Sequence, residues 1–340
     1  MEKEDHLDKE TAVSFDLTET GGSIKAKSRL ISAIDRLGGS LVEIISFPAE
    51  RRVQRNRIEL DTEKEVMEAA AKKLVEAIKT DDAIANRVLE ARFKKDVRKQ
   101  LNKDGVIAYA LDDLRNISPE VSETAEAPEE LGEEFLERFE HYAEDASTDD
   151  LRQRWGRILA GEIRKPGTFN RKVLRAVDEI DSRTAKLFEG LAEGGLGNVL
   201  FKSLIRHTTY NERILLHSSG ILTVVSDDQH RFFVDMTLNS GERVWFFGLY
   251  DYAIAFSVDI EPNYEDKDII LKYENTPCLP IFLLTDVGEA LLNIIIRNEI
   301  DIVRNLAEKV NSVLPENSLM YFVKNKNNNL FFRVRNFNNL

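Results

Sequence analysis

Cysteine is nearly absent. The chain has one, Cys278, in 340 residues, which excludes an intramolecular disulfide and any zinc site built from several cysteines. A lone thiol between Pro277 and Leu279, with no base beside it in sequence, reads as buried and inert. Also lacking are a run of 18 apolar residues and an apolar signal core in the opening text MEKEDHLDKE, so the chain is expected to be cytoplasmic, with no spanning helix. The most apolar stretch, residues 244–258, is interrupted by Gly248 and Asp251 and reads as paired strands.

No phosphate loop, G-x-G-x-x-G, G-x-S-x-G or H-E-x-x-H occurs. The glycines at 194, 195 and 197 lack the following Lys-Ser/Thr of a phosphate loop and read as a helix stop. His207, His217 and His230 lie near Asp227, Asp228 and Asp235 in sequence, but their spacings match no ligand set. No catalytic residue, metal or cofactor is therefore expected, and the chain reads as a non-enzyme. Net positive charge is lacking too. A formal charge of −13 argues against a general nucleic-acid binder and leaves only local basic faces open.

Residues 1–22 are polar and aperiodic, a flexible tail. An extended helical region is expected over 23–115. In its first part Ile24, Ile31, Ile34, Leu41 and Ile45 form one stripe, with Leu30, Leu37 and Ile44 broadening it and Lys25, Lys27, Arg29 and Arg36 mostly off it. Such a helix fits a partner helix or, less well, an anionic membrane surface. Arg51, Arg52 and Arg55 open a second helix behind Pro48. Residues 63–79 carry a thin stripe of Val66, Ala70, Leu74 and Ile78, a bundle or coiled-coil seam. A third pattern places Leu89, Phe93, Val97 and Leu101 four apart, under a face with seven basic residues (Arg87, Arg92, Lys94, Lys95, Arg98, Lys99, Lys103) against Glu90 and Asp96. Its reading is a solvated face, a phosphate contact or a mate for an acidic neighbour.

That neighbour follows. Residues 116–150 hold thirteen Asp/Glu and one Arg. Their first part, 116–128, is a Pro-containing acidic linker. Beyond it, in a helical scaffold expected over 129–195, Leu131, Phe135, Phe139 and Tyr142 make an apolar stripe. Ser147-Thr148-Asp149-Asp150 fits a capping box before a helix with Leu151, Trp155, Ile158, Leu159 and Ile163 on one face and Glu162 elsewhere. Lys165-Pro166-Gly167 ends it. Phe169, Asn170 and Leu174 fit a hydrophobic staple around the N-cap of the next helix, and Asp181-Ser182 caps a third.

These residues carry a resemblance. Trp155, Ile158-Leu159-Ala160-Gly161-Glu162-Ile163, Lys165-Pro166-Gly167 and Phe169 resemble the tryptophan helix and Lys-Pro-Gly turn of a bacterial family of unassigned function related to the abortive-infection alpha proteins. Lys25-Ala26-Lys27-Ser28-Arg29-Leu30, Ala33-Ile34-Asp35-Arg36-Leu37 and Leu284-Thr285-Asp286-Val287-Gly288-Glu289-Ala290-Leu291 look familial too. The resemblance, over about residues 23–310, implies a bacterial cytosolic setting and a role in defence against phage. It supplies no catalytic residues.

An α+β domain is expected over 196–340. Residues 199–205 and 210–217 read as short helices. Residues 221–225 and 231–235 read as strands about Ser226-Asp227-Asp228. Together they suggest a winged-helix-like segment with Lys202, Arg206 and Arg213 towards a partner or nucleic acid. Pro277 and Pro280 mark the strand expected over 272–284 as an edge. The fold class is thus α+β: a mostly helical N-terminal half of extended helices plus a compact scaffold, and a winged-helix-like C-terminal half. The expected function is an interaction or sensor protein acting through a protein partner or a homo-oligomer. The structural hub would be Trp155, Ile158, Leu159, Glu162, Pro166, Gly167 and Phe169. A nucleic-acid-binding regulator, or an effector at the membrane surface, is the alternative. The contact residues would be Lys25, Lys27, Arg29, Arg51, Arg52, Arg55, Lys202, Arg206 and Arg213.

Overall fold

The computed structural model describes residues 24–38, 83–116, 128–295, 297–325 and 330–337. The expected tail and most of the acidic linker lie outside the described residues, as do Arg51, Arg52, Arg55 and residues 63–79. The chain divides into two compact units, Met1–Leu174 and Arg175–Leu340.

In the N-terminal unit the helices are α1 (Ile24–Leu37), α2 (Ala83–Asn116), α3 (Glu133–Asp145) and α4 (Asp149–Arg164), with α5 (Arg171–Glu179) leading into the second unit. Helix α1 stops sooner than its apolar pattern suggests. Gly38 adopts φ +69 and its N–H returns to the Asp35 carbonyl, an end that a glycine makes at little steric cost. The face of α1 that carries Ala26, Leu30, Ala33, Ile34 and Leu37 is buried against α2, α3 and α4.

Helix α2 packs mainly on α4, and small residues set how closely. A Cβ on Gly156 would lie 2.5 Å from the Tyr109 Cβ and 2.9 Å from the Ala110 nitrogen. Across the same seam the Arg152 guanidinium donates to Asn102 Oδ1 at 2.9 Å, and Asn102 donates to the Glu144 carbonyl at 2.7 Å. The acidic helix α3 answers the basic stretch of α2: Lys103 Nζ lies 3.1 Å from Glu140, and Lys99 pairs with Glu144. Trp155 stacks on Tyr142 at 4.8 Å and meets Phe139 edge-on at 5.9 Å.

The C-terminal unit contains α6 (Ser182–Glu189), β1 (Gly195–Leu196), β2 (Val199–Phe201), α7 (Tyr210–Ser218), β3 (His230–Phe232), β4 (Val234–Thr237), β5 (Arg243–Leu249), β6 (Tyr252–Ser257), β7 (Leu271–Tyr273), β8 (Thr276–Leu283), α8 (Asp286–Ile294), α9 (Glu299–Ser312), β9 (Met320–Lys324) and β10 (Phe331–Val334). Two five-stranded antiparallel sheets form, one in the order β1-β2-β8-β3 with β7 also on β8, the other β10-β9-β6-β5-β4. One core joins both sheets to α9 through Phe201, Phe247, Phe256, Leu279, Ile281 and Leu306. A second gathers Phe188, Leu191, Leu216, Leu222, Phe282 and Leu292.

The α+β class therefore holds, and three finer expectations need correction. Residues 199–205 are a strand and a 3-10 turn rather than a helix. The two strands expected to flank Asp227 do not pair with each other. Residues 221–225 contribute only a bridge from Leu222 to Leu284, while β3 pairs with β8 and β4 with β5. The chain crosses between sheets at Phe233, whose buried ring the core takes in. Third, the proline-bearing strand β8 is central. Its partners β2, β3 and β7 each offer only three ladder positions and change along its length, so a missing proline N–H interrupts little. The helix Ser182–Glu189 packs its Phe188 with Leu216 and Phe282.

Substituting Gly156 by Ala should destabilise the chain by about 1–3 kcal/mol, through forced separation of α2 and α4. Gly132→Ala, where the added methyl meets nothing within 4 Å, should stay near wild type in the same urea titration.

Candidate functional site

The Lys-Pro-Gly turn is built by a buried carboxylate. Glu162 is 3% exposed, not on an outer face. Its Oε1 accepts from the Gly167 N–H at 2.6 Å and its Oε2 from the Phe169 N–H at 2.9 Å. Pro166 ends α4, Gly167 turns with φ +86, and the buried Phe169 is followed by Asn170, whose Oδ1 accepts from the Lys172 and Val173 N–H groups at 2.9 and 3.1 Å. Burial pushes the Glu162 pKa up; the Gly167, Phe169 and Thr168 N–H groups and the nearby Arg29 oppose that rise. The cap of α4 is Thr148 rather than Ser147, accepting from Leu151 N–H at 3.3 Å.

The sequence places Arg29 among contact residues at the surface. It is fully buried instead, its Nε donating to the Ile163 carbonyl and its Nη1 to the Pro128 carbonyl, both at 2.7 Å. It ties three segments together because two main-chain carbonyls at chain ends need donors there. Lys25 and Lys27 are half-buried. The described part of the stripe considered for membrane contact packs inward, while Leu41, Ile44 and Ile45 lie outside the described residues.

The three cations of the C-terminal unit are also engaged. Asp227, expected at an exposed tip, turns to Lys202 at 2.8 Å and to Arg213 at 3.7 Å. Burial pushes its carboxyl up, but Lys202 and Arg213 outweigh that and hold it below its ordinary range. Arg213 further donates to the Thr208 and Val225 carbonyls at 2.7 and 3.1 Å. Arg206 grips both oxygens of Glu212, chiefly through which the Glu212 pKa falls to about 2. Glu212 also closes the capping box with Thr209. His217 Nδ1 meets the Leu222 carbonyl at 3.0 Å. Among the described residues no three His, Cys, Asp or Glu side chains gather as metal ligands, and no helix is long and apolar enough to cross a membrane. Burial pushes the Cys278 thiol up to about 11.

What remains accessible is the first half of α2. No residue from 87 to 98 is buried. Val88 is 61% exposed, and Leu89 and Leu101 are exposed as well. The stripe of Leu89, Phe93, Val97 and Leu101 does not continue into the packed face of Val106, Ile107, Ala110 and Leu114. At about 100° per residue the two point roughly a quarter turn apart. Flanking the stripe, Arg92, Lys95 and Arg98 form no ion pair among the described residues, whereas Lys94 is held by Glu90 at 2.6 Å. The sequence pattern contained this stripe; that it would stand clear of the fold was not visible in it.

A family model described as Protein of unknown function (DUF2806) matches residues 86–301, beginning on this exposed arm. No curated protein and no solved structure matches the chain.

A raised carboxyl pKa destabilises the fold once pH rises above its unfolded value, 4.5, and the loss is complete above the folded value. Stability measured against Glu162→Gln from pH 4 to 8 should therefore shift against the wild type as pH rises. Glu162→Ala, which strands two turn N–H groups, should cost at least ~2 kcal/mol.

Proposed function

The chain belongs to the DUF2806 family, whose description assigns no reaction, and we propose that it is a non-enzymatic interaction protein working through the exposed arm of α2. One observation carries this reading: the exposed Leu89–Phe93–Val97–Leu101 stripe lies about a quarter turn from the face on which α2 packs and beside Arg92, Lys95 and Arg98. An apolar seam flanked by cations suits an amphipathic helix with carboxylates on its flanks. Two copies of this arm would bring like charges together, so a heterotypic protein partner is favoured over self-association. The resemblance of the tryptophan helix and Lys-Pro-Gly turn to a family related to the abortive-infection alpha proteins is the ground for proposing that the interaction serves defence against phage in the bacterial cytoplasm.

The competing reading, a winged-helix-like nucleic-acid binder, needs Lys202, Arg206 and Arg213 released from Asp227, Glu212 and the Thr208 and Val225 carbonyls. Action at a membrane surface needs α1 to leave its packed site. Neither reading has a specific observation in its favour.

A photo-crosslinking residue at position 93 should capture one discrete protein in phage-challenged cells. Leu89→Asp and the pair Arg92→Glu/Arg98→Glu should each abolish the adduct and the reduction in plaques, with melting temperature unchanged because all three residues are exposed. Protection that survives both variants would sink the reading. So would duplex-DNA binding that falls steeply with salt and is lost in the charge-reversed pair.

A further inference from the structure

A cleft of about 730 Å³ opens in the C-terminal unit, within the ~300–1,000 Å³ span of small-molecule sites. It draws on both sheets. Its apolar side is Val199, Ile281 and Leu283 from β2 and β8, and its polar side includes Arg231, Asn198 and Asp228.

Two features show that the walls are fixed. Gln229, next to β3, behaves as an extra rung: its carbonyl accepts from the Ile281 N–H at 2.9 Å and its side-chain oxygen from the Leu283 N–H at 3.0 Å. Its amide donates to Thr223 Oγ1 at 3.1 Å. Then two hairpin tips interlock. The β5–β6 turn is Tyr250-Asp251, and Tyr250 holds φ 60, a left-handed conformation that costs a bulky residue on the order of 1–3 kcal/mol. The β1–β2 turn is Gly197-Asn198, and a Cβ on Gly197 would lie 1.6 Å from the Tyr250 hydroxyl oxygen. The phenol end thus occupies the space that only a glycine leaves, and the ring stands as a fixed wall, 54% exposed.

Arg231 is the cation of the cleft. Its guanidinium lies 5.2 Å from the Phe247 ring centre, and among the described residues no carboxylate pairs with it. Several other arginines of the unit have one: Arg206, Arg213, Arg243 and Arg304 each lie within 4 Å of an Asp or Glu. Stacking on a ring holds the guanidinium in place and leaves its N–H edges to a ligand.

We propose that this cleft binds a small organic monoanion with a flat apolar body. Its anionic group pairs with Arg231, and its body lies over Val199, Ile281 and Leu283 beside the Tyr250 ring. Asp228 on the lining disfavours a polyphosphate. The site is independent of the α2 arm, and either can fail alone.

The probes are 8-anilinonaphthalene-1-sulfonate, a flat monoanion, and its uncharged relative N-phenyl-1-naphthylamine, titrated by fluorescence into the full chain. The sulfonate should saturate. Arg231→Gln should weaken it about tenfold or more while leaving the neutral dye within about twofold, and Arg231→Lys, which keeps the charge, should lose only a few-fold. Arg231 is exposed, so melting temperature should not move. An intact chain that shows no saturable sulfonate binding overturns the proposal. It is also overturned if Arg231→Gln leaves the sulfonate unchanged or weakens both dyes alike.

Discussion

The N-terminal unit depends on one buried charge. A carboxylate placed among Trp155, Ile158 and Phe169 costs desolvation, and Glu162 offsets that by accepting the N–H groups of a turn that would otherwise be orphaned. The turn then sets the direction in which α5 leaves. Beside it Arg29 answers the carbonyl side of the same problem, closing the ends left by Pro128 and Ile163. One acid in the last turn of α4 and one base near the middle of α1 therefore organise the chain where its helices stop.

Local chemistry was the most legible part of the sequence. The Asn170 and Asp181 caps, the α3 stripe and the match between acidic α3 and basic α2 follow from residue types. What was not legible depended on chain brought from far away. Arg29 reads as a surface cation until residues 99 and 134 positions on supply carbonyls for it. Pro280 reads as an edge marker until β8 is seen to change neighbours along its length. The two strands expected about Asp227 pair elsewhere for the same reason. Residues 231–235 read as one strand, but the buried Phe233 splits them between two sheets.

For the candidate sites, residue type was legible and availability was not. Lys202, Arg206 and Arg213 are cations in sequence, yet their charges are answered within the unit by Asp227 and Glu212. Arg231 and the α2 arm, by contrast, keep theirs. The arm's stripe was visible as a period of four residues. Its significance lies in its direction relative to the packed face, which appears only once the rest of α2 has been placed. The cleft was invisible, since two turns more than fifty residues apart assemble it.

Strand β8 has a consequence in time. Its partners β2 and β3 lie roughly eighty and fifty residues earlier in the chain, so on the ribosome the edge of each that faces β8 must wait until it is made, β2 with only β1 beside it. Hydrophobic strand ends such as Val199–Phe201 are then held open through the synthesis of most of the second sheet. Long-range pairing of this kind is slow and exposes the chain to misassembly. When β8 arrives it closes three ladders together, so the first sheet should appear in one cooperative event, late, and be lost as one.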